Sequence, residues 1–162
     1  MAYKKPKIAV PRFCEANGFY TTKKRSFNMS RIKGSNTKPE ILLKKALWHA
    51  GVRHRSNGWK LPGKPDITLL KYKLVIFVDG SFWHGFNWEE RKHSLKSNKD
   101  FWISKIERNM QRDEEINSLY LSKGWRVMRF WDFEVKNQLG ICVREVLEAI
   151  RQRAASSSKE IS

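Results

Sequence analysis

The sequence predicts a mixed α/β fold, with one domain built around a central sheet that helices flank. A chain of 162 residues is the right length for a single domain with its own core. The run Leu74-Val75-Ile76-Phe77-Val78 is continuously apolar, which is typical of a central strand covered on both faces. Segments of helical and strand character follow in the order helix, strands, helix, strand, helix, which favours helices packed against a mixed sheet.

The first helix is predicted to run from Thr37 to Gly51. Thr37 can cap its amino end, Pro39 is tolerated in the first turn, and Glu40 stands at the capping-box position. Gly51 is a typical residue just beyond a helix end. The predicted buried face is formed by Leu43, Ala46, Leu47 and Ala50.

A block rich in strands follows this helix. Residues 52–55 predict a short strand, and residues 61–65 (LPGKP) predict a turn, because Pro and Gly fit poorly in a strand ladder. Residues 66–70 predict a second strand, 71–73 a hairpin-like connection, and 74–78 the central strand.

The second half of the chain predicts two more helices and one more strand. Residues 85–98 are polar and predict a loop, and residues 99–122 follow the helical period with an apolar face. Residues 125–131 are aromatic and branched, which favours a strand. A final helix is predicted over 140–153.

The charge of the chain predicts a polyanionic partner. Lys and Arg number 33 against 16 Asp and Glu, a net charge of +17. Binding to nucleic acid should then weaken steeply as salt rises. Residues 1–23 predict a basic arm that is mobile without a partner, and residues 154–162 a disordered tail. From charge alone, a protein that binds nucleic acid without catalysis remains an alternative.

The rest of the composition bears on the compartment. Cys14 and Cys142 are far apart and form no CxxC pair, so neither a disulfide framework nor a cysteine zinc site is predicted. No signal-peptide pattern and no membrane-length apolar run is present. We therefore expect a cytoplasmic protein that associates with the nucleoid.

Two acids and a histidine lie close together in the strand-rich block. Asp66 begins one strand, Asp79 ends the next, and a hairpin would bring the two carboxylates near one point. Carboxylate oxygens suit Mg²⁺, which polarises a phosphate and lowers the pKa of a bound water. His84 follows five residues after Asp79 and can transfer a proton. Ordinary turn acids and a structural histidine are the alternative interpretation.

Four segments in order resemble the very short patch repair (Vsr) DNA mismatch endonucleases. They are PGKPD, FVDGSFWH, FWISKIERNMQRD and GWRVMRFW, and the resemblance covers roughly residues 24 to 150. It implies an endonuclease domain over 24–153 with a variant of the PD-(D/E)XK nuclease fold. It also implies a Mg²⁺-dependent nick 5′ to the thymine of a T:G mismatch, the lesion left when 5-methylcytosine deaminates.

The resemblance assigns roles around the predicted metal. Asp66 matches the central metal-binding aspartate, and Val78 stands where a backbone carbonyl contacts the metal. His84 matches the catalytic histidine, and Glu40 aligns with a catalytic glutamate on the first helix. Asp79 falls where some members carry a histidine, so its role as acid, ligand or hydrogen-bond partner stays open.

The resemblance also assigns contacts with DNA. Phe82 and Trp83 match aromatic residues that wedge into the duplex beside the mismatch, although core packing is an alternative for either. Met29 resembles a residue that enters from the opposite groove. Lys105 and Asn109 lie four apart on one helical face and match positions that touch the mispaired bases; a solvated helix face is the alternative.

Two features depart from the family pattern. Members with a structural zinc hold it with Cys and His, whereas the matching positions here are Ser81, Phe86, Trp88 and Phe133. None of these side chains is a plausible zinc ligand, so we expect no zinc and instead expect the three aromatic residues to pack together. The Asp/Glu-x-Lys pair of general PD-(D/E)XK enzymes is also missing, because Asp79 is followed by Gly80 and Ser81.

The expected substrate is double-stranded DNA with a T:G mismatch, cut by a monomer. MutL-type repair proteins are further partners that the resemblance suggests. A restriction-type or junction-cutting nuclease of the same fold is the enzymatic alternative.

Overall fold

A computed structural model describes residues 5–56 and 60–159. The described chain forms two compact units, one from the described residues of Met1–Lys33 and Ser81–Glu115, the other from those of Gly34–Gly80 and Ile116–Ser162. In chain order the elements are α1 (Lys23–Ser30), α2 (Lys38–His49), β1 (Arg55–Ser56), β2 (Ile67–Leu69), β3 (Leu74–Asp79), α3 (Trp88–Arg91), α4 (Lys99–Ser122), β4 (Arg126–Trp131), α5 (Asp132–Asn137) and α6 (Leu139–Lys159).

All four strands belong to the second unit and form one mixed sheet in the order β1-β2-β3-β4. β1 and β3 both pair with β2 in antiparallel fashion, whereas β4 runs parallel to β3. The β2–β3 register places Ile67 opposite Ile76 and Leu69 opposite Leu74. The predicted mixed α/β class is confirmed.

The central strand is covered on both faces, as its apolar run predicts. Leu74 and Ile76 of β3 belong to a core cluster with Leu43 and Leu47 of α2 and with residues of α6. Val75 and Phe77 alternate to the opposite face and pack with Tyr120. The period-2 alternation of a strand therefore supplies two separate cores from one six-residue segment.

The first predicted helix is present, but its cap differs from the prediction. α2 begins after Thr37, whose side chain makes no capping bond to the backbone. The Thr37 hydroxyl instead donates to Glu40 Oε1 over 2.9 Å, and the Asn36 N–H donates to Glu40 Oε2 over 2.6 Å. The Glu40 carboxylate therefore accepts the hydrogen bonds at the start of α2, where Thr37 was expected to be the capping residue.

Other boundaries also differ from the sequence-based expectations. The strand predicted over 52–55 occupies Arg55–Ser56. The segment 85–98 contains the short helix α3 and a 3-10 turn, Lys92–Ser94, so the prediction of a plain loop was wrong. The additional helix α5 follows β4 directly, and α6 continues to Lys159, into the segment predicted to be a disordered tail.

The first unit gathers the amino-terminal segment and the first part of α4. Thr22 caps α1 by accepting the Arg25 N–H over 3.2 Å. Phe13 and Phe19 pack against Phe101 of α4, with ring centroids 4.9 and 5.5 Å away. Phe13 and Phe19 belong to the segment predicted to be a mobile arm, and its mobility stays a prediction.

Among the described residues, no helix combines the length and the apolar character that crossing a bilayer would require.

The turn before β2 depends on a glycine for two separate reasons. Gly63 has a φ of +74°, which side chains other than glycine's rarely adopt. A Cβ at this position would also lie 2.8 Å from Ile116 Cδ1 and 2.9 Å from Ile116 Cγ2. Gly124 has nearly the same φ, +73°, but a Cβ there would meet no described atom within 4 Å.

This pair allows a matched test of the turn by mutation. Gly124→Ala should lower the free energy of unfolding by about 1–2 kcal/mol, the conformational cost alone. Gly63→Ala should cost roughly 1–3 kcal/mol more, because the new methyl group overpacks against Ile116. Urea denaturation of the two variants measures the difference, and equal losses would contradict the close contact.

Candidate active site

Asp66 is fixed by backbone bonds at the end of the hairpin between β2 and β3. Its N–H donates to the Ile76 carbonyl over 3.0 Å, which continues the ladder by one residue beyond Ile67. Its Oδ2 accepts the N–H of Val78 over 2.7 Å. The carboxylate is therefore placed beside the backbone of Val78, the residue predicted to offer a carbonyl to a metal.

The electrostatic environment of Asp66 favours a bound cation or a bound proton. The pKa of this carboxyl is raised from 3.8 to about 7, chiefly by burial, while the Val78 N–H acts in the opposite direction. Repulsion from Glu40 and Asp79 contributes to the raised pKa, and the charge of Lys44 opposes it. Because the ionised form is disfavoured without a counter-charge, this position suits a carboxylate that takes up a metal ion.

Glu40 lies in the same unit and is only 4% exposed. Its carboxylate accepts hydrogen bonds from Asn36 and Thr37 at the start of α2, while its charge acts on Asp66. The structural role at the helix entry is thus observed, and the catalytic role stays a prediction.

Asp79, at the end of β3, is paired with an arginine that the sequence-based prediction did not include. Arg129 Nη1 lies 3.0 and 2.9 Å from the two carboxylate oxygens of Asp79. The guanidinium carbon of Arg129 stands 4.2 Å from the Phe77 ring centroid, and its Nε donates to Asn117 over 2.9 Å. An arginine within the apolar strand segment RVMRFW was the signal that a buried partner acid exists.

His84 belongs to the first unit and has an acidic partner of its own there. Its Nδ1 lies 2.6 Å from Asp113 Oδ2, and both side chains are partly buried. Asp113 was not predicted, although it follows Lys105 and Asn109 at steps of four along α4. That spacing places all three on one helical face, so the motif already contained the missing residue.

An aromatic cluster surrounds the residues predicted to wedge into DNA. The ring centroid of Phe82 lies 5.1 Å from that of Trp83 and 5.6 Å from that of Trp102, both with edge-to-face geometry. Asn109 Nδ2 donates to the backbone carbonyl of Trp83 over 3.0 Å. Asn109 therefore holds the backbone that carries the aromatic pair, a role that the sequence did not reveal.

Three of the predicted DNA-contacting residues meet at one cavity of the first unit. Met29 of α1, Trp83 and Lys105 line it together with Trp102 and Phe101. Met29 is 40% exposed and Phe82 is 37% exposed, so both side chains are accessible to a partner. The structure thus brings together residues that are up to 76 positions apart in the chain, from Met29 to Lys105.

The positions that match family zinc ligands hold other side chains. Ser81, Phe86 and Trp88 line a small cavity in the first unit, where the Trp88 Nε1–H donates to Glu107 Oε1 over 3.1 Å. Phe133 belongs to the second unit. The expected absence of zinc, and the packing of Phe133 with these residues, stay predictions.

The donor set of the second unit fits a hard divalent cation. Asp66 and Glu40 supply carboxylate oxygens whose charges act on one another, and the Val78 backbone is adjacent. Oxygen ligands of this kind are those that Mg²⁺ takes in proteins. The residues that would hold the ion are Asp66 and the Val78 carbonyl, and this assignment stays a prediction.

The raised pKa of Asp66 predicts how stability depends on pH. Between 3.8 and about 7 the folded state holds a proton that the unfolded state has lost, so this contribution is complete below pH 3.8 and lost as pH rises through 7. In chelator, unfolding free energy should fall by about 2–3 kcal/mol from pH 5 to pH 8 because of this group.

Denaturant titration of wild type and Asp66→Asn at both pH values separates this contribution from the rest. The variant should lack that part of the pH dependence, and Mg²⁺ should restore stability to wild type at pH 8 and not to the variant. Parallel pH profiles for the two proteins would contradict the assignment.

Comparison with known proteins gives the family. Residues 17–90 match the family model described as DNA mismatch endonuclease Vsr. The type II nicking enzyme V.NmeDIP of Neisseria meningitidis serogroup C is 44% identical over 137 residues, which are 85% of this chain and 93% of that protein. The type II nicking enzyme V.HpaIIP of Haemophilus parainfluenzae is 48% identical over 121 residues, 75% of this chain and 86% of that protein.

A further relative carries the family's own name. The DNA mismatch endonuclease Vsr of Escherichia coli (strain K12) is 33% identical over 114 residues, which are 70% of this chain and 72% of that protein. The segments PGKPD and FVDGSFWH lie within the matched residues 17–90, and the chain belongs to the Vsr family of DNA endonucleases.

Proposed function

We propose that this endonuclease nicks one strand of duplex DNA 5′ to the thymine of a T:G mismatch. The observation that carries the proposal is the cavity of the first unit, where Met29, Trp83 and Lys105 line one surface beside Phe82. Apolar side chains next to a cation suit a distorted base step, since the side chains stack and the cation pairs with phosphate or a base edge.

Mismatch selection follows from the energy of unstacking. Inserting an aromatic ring between base pairs costs a few kcal/mol, and least where pairing is already faulty. The edge-to-face contacts of Phe82 with Trp83 and Trp102 keep these rings ordered before DNA binds. Little conformational entropy is then lost on insertion, which supports a wedge role for Phe82 and Trp83.

Nucleases of this family generally use a divalent metal ion, and we propose Mg²⁺ here. Asp66 and the Val78 carbonyl would hold the ion, which would supply Lewis acidity at the scissile phosphate. Asp79, locked to Arg129, supplies fixed negative charge beside Asp66. Glu40 adds a second carboxylate from α2 to the same charge cluster.

His84 is the proposed proton-transfer group. Its Nδ1 lies 2.6 Å from Asp113 Oδ2, and Nε2 is the atom proposed to exchange a proton with the attacking water or the leaving oxygen. The carboxylate fixes the ring orientation and the tautomer, so Asp113 acts as a positioning residue.

The expected partners follow from the same proposal. The substrate is double-stranded DNA with a T:G mismatch, the product of 5-methylcytosine deamination. We expect a monomer, with MutL-type repair proteins as candidate partners.

A second candidate is a nicking enzyme whose specificity is of the restriction type. Two relatives are named as type II nicking enzymes, which favours it. The two functions share the metal and the histidine but differ in whether faulty pairing is required.

A nicking assay on matched duplexes tests the proposal. One strand of a T:G duplex should be cut 5′ to the thymine in Mg²⁺, while the T:A duplex of identical sequence should stay intact. Asp66→Ala should bind the T:G duplex and cut neither strand, because the proposed metal ligand is gone.

Different outcomes separate the hypotheses. Equal cutting of T:G and T:A duplexes would favour the restriction-type nuclease, and salt-dependent binding without any product would favour a non-catalytic binding protein. Cleavage by Asp66→Ala at the wild-type rate would remove Asp66 from the metal site.

The His84–Asp113 pair allows a further prediction. Asp113→Asn should slow nicking by at least about tenfold, and by less than the ~10²–10⁴-fold that loss of proton transfer costs. Substrate affinity should be unchanged. Ring ¹⁵N NMR of His84 should show one tautomer in the wild type and a mixture in the variant; an unchanged spectrum would show that Asp113 does not set the tautomer.

A further inference from the structure

An apolar groove in the second unit has no part in the chemistry proposed above. Its floor contains the buried side chains of Val52 and Leu69, and its walls contain Tyr72, Leu147 and Ile150. Leu70, at its edge, is 44% exposed. Contiguous apolar surface of this kind marks interaction sites more often than it occurs by chance.

The groove lies at the opposite end of β3 from the acidic cluster. Its residues Leu69 to Tyr72 form the connection that precedes Leu74, whereas Asp79 ends the strand. Five steps of about 3.3 Å separate the two ends, roughly 16 Å along the strand. An occupant of the groove would therefore leave Asp66 and Asp79 uncovered.

The charges at the groove select its occupant. Arg53 and Lys71 are exposed at the mouth, and none of the described lining residues is acidic. The nearby Glu148 is already paired with Arg151 over 2.8 Å. A second copy of this chain, with its net charge of +17, would meet repulsion here, whereas a negatively charged partner would be attracted.

The side-chain types favour a protein over nucleic acid. The guanidinium carbon of Arg53 lies 3.9 Å from the ring centroid of Trp48, itself 51% exposed, and Tyr72 lines the groove together with Arg53. Trp, Tyr and Arg dominate binding energy at protein interfaces. Interfaces with DNA are more polar than this aliphatic floor.

We propose that this groove docks an acidic, amphipathic segment of a partner protein. Apolar side chains of the segment would fill the space between Leu70 and Ile150, and its carboxylates would pair with Arg53 and Lys71. Docking of this kind would let a partner bind while the acidic end of the sheet stays open to DNA.

The test uses the full chain and a fluorescein-labelled model peptide with Leu and Glu at helical spacing. Anisotropy should show saturable binding, and methyl NMR should show shifts confined to Leu70, Leu147, Ile150 and their neighbours. The same peptide with Lys in place of Glu should bind at least tenfold more weakly.

Matched variants distinguish peptide binding in the groove from nonspecific binding elsewhere. Leu70→Asp and Lys71→Glu should each weaken peptide binding at least tenfold. Leu121→Asp, at a 65% exposed leucine of α4 that does not line the groove, should leave binding unchanged.

Four results would overturn the proposal. They are no binding, equal binding of the Lys peptide, loss of duplex affinity in Lys71→Glu without loss of peptide affinity, and a dimer in sedimentation that Leu70→Asp abolishes. The last two would assign the groove to DNA or to a second copy of the chain.

Discussion

The hydrogen bond from the Val78 N–H to the Asp66 carboxylate fixes the end of the sheet where the proposed metal ligand lies. It joins the residue that precedes β2 to the residue near the end of β3, across a hairpin whose ladder is otherwise only three pairs long. Burial removes part of the hydration of the Asp66 carboxylate, and the Val78 N–H replaces one of the lost hydrogen-bond donors. The negative charge of ionised Asp66 is therefore held at a position where burial disfavours it. A carboxylate in that state gains more from a cation than one in water would.

The two acids of the sheet, Asp66 and Asp79, differ in the groups that balance their charges. Asp79 forms an ion pair with Arg129, which also contacts the Phe77 ring and donates to Asn117, while the charge of Asp79 still acts on Asp66. Asp66 accepts the Val78 N–H, and the cation whose charge acts on it is Lys44. One strand end therefore carries a structural ion pair beside a carboxylate that is suited to an exchangeable ligand. Asp79 is thus observed as the ion-pair partner of Arg129, and its role in function stays a prediction.

The sequence predicted the elements whose signals are local and repeated. β3, α2 and α4 were found because an apolar run or a 3.6-residue period persists over many residues. The short helices α3 and α5 were missed because four to six residues contain too little of any period. Asp66 and His84 stood out through their setting in the chain, whereas Asp113 and Arg129 matter only through partners 29 and 50 residues away. Such pairings depend on tertiary structure. The only local signals were the charge of Arg129 within an apolar strand and the four-residue spacing of Asp113.

Packing between aromatic rings stabilises the first unit. The first unit has few aliphatic core residues, yet Phe13, Phe19 and Phe101 pack in mutual contact, and Trp102 joins them to Phe82 and Trp83. Edge-to-face contacts are worth about 0.5–1.5 kcal/mol each beyond the burial of area. A continuous chain of such contacts can therefore order a loop. The same contacts connect the rings proposed to enter DNA with the buried face of α4. Packing against Trp102 would therefore keep Phe82 in position when it meets a base step. The same side chains would then serve as the scaffold and as the probe for faulty pairing, which explains why the unit tolerates Met29 and Phe82 on its surface.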